Sequence, residues 1–68
     1  MSRHHKAITA AIKACGDVSE LLDIAETCIR TSRLLHNGDP DEATAYHRHV
    51  LHAMECVRLL SIAGRAAP

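Results

Sequence analysis

Apolar positions along this chain recur at helical rather than strand spacing, and two polar breaks interrupt them. The breaks are Cys15-Gly16-Asp17 and His36-Asn37-Gly38-Asp39-Pro40, and each joins a glycine suited to ending a helix to an aspartate suited to starting one. Asp17 stands three before Glu20, and Asp39 three before Glu42 with Pro40 at the first helical position. Both later helices therefore open with an acidic form of the capping box. The pattern predicts an all-α domain over 1–68, with helices at about 3–15, 17–36 and 40–63. Gly64 is expected to end the third helix in the left-handed conformation, leaving 64–68 as a frayed tail.

Turning each segment by about 100° per residue sorts its faces. In the second helix Val18, Leu21, Ala25, Cys28, Ser32 and Leu35 share a side, while Ser19, Asp23, Glu26, Arg30 and Arg33 take the other. The third helix has a main stripe of Tyr46, Val50, Ala53, Val57 and Leu60. Leu51, Leu59 and Ile62 fall on its far side among Thr44, Arg48, Glu55 and Arg58. The first helix is weaker, with Ile8, Ala11, Ile12 and Cys15 as its apolar side, and it is expected to dock late or swap between chains. Short linkers make consecutive helices antiparallel, giving an up-down-up unit that lacks a fourth helix.

Composition sharpens this. Of 68 residues only 15 are Val, Ile or Leu, 11 are Ala, and Tyr46 is the sole aromatic. Ordering costs about 1.5 kcal/mol per residue, so a lone copy comes out near zero stability. Homo-oligomerisation that covers Leu51, Leu59 and Ile62 is the expected remedy. Three cysteines cannot all pair within one chain, which argues for reduced thiols in a cytosol. No run approaches the ~20 apolar residues of a membrane span, and Met1-Ser2-Arg3-His4-His5-Lys6 lacks the apolar stretch of a signal peptide. Eight Lys and Arg balance eight Asp and Glu and no aromatic platform accompanies the basic residues, which argues against nucleic-acid binding. A small helical unit with one aromatic offers little concavity for catalysis, so the reading is non-enzymatic.

Thiols and imidazoles carry the candidate chemistry. Cys28, Ser32 and His36 descend one side of the second helix by fours, and His49, His52 and Cys56 line one edge of the third. Thiolate with imidazole suits Cu(I) or Zn²⁺, and His52 with Cys56 is the best local pair. Reduced cysteine also packs as a small hydrophobe, so inward thiols need no metal. His4, His5 and His47 are expected to be solvated. Six histidines move the net charge from zero toward +6 below about pH 6, and this could loosen interfaces containing His49 or His52.

The segments Asp23-Ile24-Ala25-Glu26-Thr27-Cys28-Ile29-Arg30-Thr31-Ser32-Arg33-Leu34-Leu35 and Leu51-His52-Ala53-Met54-Glu55-Cys56-Val57-Arg58 resemble the cysteine-rich four-helix-bundle family that includes bacterial copper storage proteins. The resemblance spans roughly 20–63 and implies Cu(I) held by thiols inside a bundle that oligomerises. Where the family pattern has a cysteine four before each of these, this chain has Ile24 and His52. Ligand roles carry over to Cys28, Cys56 and His52 alone. Two readings stay open: a helical protein binding a soft metal, and a metal-free module or small bacterial or phage regulator docking through Leu51, Leu59 and Ile62 on itself or a larger partner.

Overall fold

A computed structural model of the chain describes residues 3–66, and these form three helices and no strand. α1 runs Arg3–Ala14, α2 Val18–Leu35 and α3 Pro40–Ala66. The starts of α2 and α3 follow their capping residues. Asp17 is extended (φ −115°, ψ 118°) and its carboxylate accepts from the Ser19 N–H, while Asp39 Oδ1 accepts from the Glu42 N–H at 3.2 Å. The second half of each capping box is diverted. Glu20 accepts from the Cys15 thiol at 3.6 Å, and Glu42 reaches across to α1.

The end of α3 corrects the expectation. The helix passes through Gly64 to Ala66, and no described glycine has positive φ. A left-handed end is stabilised when the residue after the glycine folds back an apolar side chain, and here that residue is Arg65. Residues 67 and 68 of the expected tail lie outside the described residues.

α3 is the central element, with α2 packed along it and α1 on it more sparingly. The Ser32 hydroxyl donates to the Ala43 carbonyl at 2.9 Å, joining the end of α2 to the start of α3. The first turn of α1 bonds α3 at Glu42, Tyr46 and His49. With the short α1–α2 linker, these contacts make α1 parallel to α3 and both antiparallel to α2. Ile12 and Leu21 are fully buried, with Ala25, Cys28, Val50 and Ala53 around them. The alanines let the helices approach closely, and each fully buried Ile or Leu contributes roughly 1.5–3 kcal/mol. α1 and α2 do not close on each other, and a cleft of about 430 Å³ lined by Ile8, Ile24, Cys28 and Tyr46 lies between them. The molecule is elongated, 49 × 21 × 14 Å.

Candidate functional site

An imidazole cluster forms where α1 meets α3. His5 stands with Ile8, Ile12 and Cys15 at spacings of three, four and three, so it shares the inward face of α1 and is buried, contrary to the expectation that it is solvated. Glu42, Tyr46 and His49 stand four and three apart on α3 and meet it. His5 Nε2–H is shared by the two Glu42 carboxylate oxygens at 3.0 and 3.1 Å, and His5 Nδ1 lies 2.8 Å from His49 Nε2. The two rings are nearly coplanar, 23° apart with centroids at 5.0 Å, so the nitrogens meet in plane with one proton between them. Tyr46 sits edge-on to His5 at 5.1 Å, and its hydroxyl is hydrogen-bonded to His4 Nε2 at 2.6 Å.

Electrostatics follow from burial. His49 titrates below its ordinary value, first because burial penalises the imidazolium and then because His5, His52 and His4 lie near. Tyr46 is pushed up by burial, by Glu42 and by Cys28. Among the described residues no buried side-chain nitrogen or oxygen lacks a hydrogen-bond partner, so the buried imidazoles do not carry the penalty of an unmet polar group. A cleft of about 440 Å³ opens beside the pair, lined by Thr9, Ala45, Arg48 and His52 among others.

The sequence-derived candidates are dispersed. Cys28 is buried in the core on α2, with its thiol pushed up by burial, and Cys56 is half-buried against the same apolar cluster. His52 is half-buried and faces the cleft that His5 and His49 also line. All three cysteines are free, and among the described residues no group of three or more His, Cys, Asp or Glu side chains is arranged to hold a metal ion. His4 and His47 are exposed. Reading histidine as a surface residue hid His5, although its place in the three-four-three spacing with Ile8 and Ile12 is visible in the sequence. Glu42 was accounted for by the capping box and so gave no sign of its second partner.

The outer face of α3 is the third candidate. Leu51, Leu59 and Ile62 are 57%, 52% and 48% exposed, and Met54 joins them at 45%. At about 100° per residue these four centre about 135° around the helix from the Val50–Ala53–Val57 stripe. Glu55 and Arg58 lie between them, with Arg58 Nε donating to Glu55 Oε2 at 3.1 Å and Nη2 to Oε1 at 2.6 Å. No helix among the described residues is long and apolar enough to cross a membrane. No family model matches the chain, and no curated protein or solved structure does either.

Proposed function

We propose that this chain is a non-enzymatic helical module that works by pairing with a second copy through the outer face of α3. The observation that carries this reading is the exposure of Leu51, Met54, Leu59 and Ile62 on the side of α3 away from α1 and α2. An apolar face of that kind stays wet in a single copy, and a two-fold partner covers it with the same residues. Three free thiols suit a reducing cytosol. The test is thermal unfolding over a range of chain concentrations. Pairing predicts that Tm rises with concentration and that Leu59→Glu abolishes the rise. A Tm independent of concentration in the unmodified chain would overturn the reading, and binding of the same face to a larger protein would then be the competing account.

A second reading is soft-metal binding through Cys28, Cys56 and His52. It rests on the residues themselves: Cys28 and Cys56 are free thiols on α2 and α3, and His52 stands one turn before Cys56. Titrating reduced protein with Cu(I) or Zn²⁺ is expected to raise Tm with a fixed stoichiometry, since a ligand that prefers the native state stabilises it. Unchanged Tm with both ions removes this reading.

A further inference from the structure

Resting on the self-pairing reading above, we infer that two copies of α3 pair antiparallel about a two-fold axis passing between Cys56 and Val57. The outer face has a symmetry of its own: Leu51 and Ile62, Met54 and Leu59, and Glu55 and Arg58 are three pairs, each equidistant from that midpoint. An antiparallel two-fold contact sets each residue of the contact line against its mirror position. Leu51 therefore meets the partner's Ile62 and Glu55 meets the partner's Arg58, while Met54 and Leu59 stand on opposite flanks of the seam. Along the seam each apolar side chain finds an apolar one and each charge its opposite.

The alternatives fail on the same residues. A parallel pair in register sets Glu55 on Glu55 and Arg58 on Arg58, which opposes association. Moving the antiparallel axis to Ala53 sets Leu51 on Glu55 and Arg48 on Arg58. Moving it to Leu60 sets Arg58 on Ile62. Leu51, Glu55, Arg58 and Ile62 follow one another by four, three and four, the spacing of a helix–helix seam, with Met54 and Leu59 flanking it. The apolar ends and flanks supply the attraction. The central ion pairs, now an intrahelical contact about half exposed, become a four-charge cluster that fixes register more than it adds affinity.

The experiment is an isotope-filtered NMR measurement on a mixture of labelled and unlabelled chains, with sedimentation mass recorded on the same sample. The expected result is a dimer showing intermolecular contacts from Leu51 methyls to Ile62 methyls. A dimer showing Leu51 to Leu51 contacts would overturn the register and leave self-pairing standing. A monomer at NMR concentration would overturn both. Glu55→Gln, a change at an exposed position that helices tolerate, gives a second check. Antiparallel pairing is expected to weaken roughly two- to fivefold as the partner's Arg58 loses its carboxylate. Tighter pairing would mean that like charges face each other, and it would overturn the proposal by itself.

Discussion

At the scale of single residues, the contact from His5 to Glu42 and His49 ties the chemistry of the site to the docking of α1. Neutral His49 accepts or donates one proton toward His5 without conflict. A second proton turns two N–H groups toward each other across 2.8 Å. Because burial and the neighbouring His5, His52 and His4 depress its pKa below 6.5, the folded chain holds fewer protons at this group than the unfolded chain does. The contribution is therefore complete above about pH 6.5 and is lost as pH falls through the lower folded value. Glu42 and Arg48 share the neighbourhood, and the Glu42 carboxylate faces His5 rather than His49. Urea unfolding is expected to show lower stability at pH 5 than at pH 7.5. His49→Gln, which keeps a hydrogen-bonding group and does not titrate, is expected to flatten that difference. A pH dependence unchanged in the variant would show that His49 is not the group responsible.

At the scale of elements, helix starts were legible in the sequence and one helix end was not. Asp17 and Asp39–Pro40 each combine a side-chain acceptor with a backbone shape that helps begin a helix, so several local signals agree. Gly64 carries a single signal with two outcomes, because glycine permits a left-handed turn without requiring one. Since its φ is not positive and nothing lies within 4 Å of an added Cβ, Gly64→Ala is expected to stabilise the chain by about 0.5–1 kcal/mol. A left-handed helix end would make the same change destabilising, so the sign of the shift in urea midpoint decides. The faces of α2 and α3 were likewise legible, from Leu21, Ala25 and Cys28 to Val50 and Ala53. The meeting of His5 with Glu42 was not, because it depends on how α1 slides along α3, and periodicity within one helix holds no information about that register. α1 has 12 residues, too few to be stable alone, so it depends on what it docks against. Ile12→Ala is expected to cost about 2–5 kcal/mol, enough to consume most of the stability of a chain this small, measured as loss of helical signal at moderate urea.

At the scale of the whole molecule, shape and composition agree. The radius of gyration is 13.1 Å, against about 11 Å for a compact chain of this length. Some of that extension is α3 itself, 27 residues beside an α2 of 18, so that its C-terminal part runs on past its neighbour. Leu59 and Ile62, each about half exposed, lie in that part. A scarcity of large apolar residues and a half-covered central helix are two views of one condition: the fold needs more surface than a single copy provides. Sedimentation equilibrium of the unmodified, reduced protein tests this most directly. The account predicts a mass rising with concentration from the 7.4 kDa of one chain to twice that value. A mass fixed at one chain throughout, with helices intact, would contradict it.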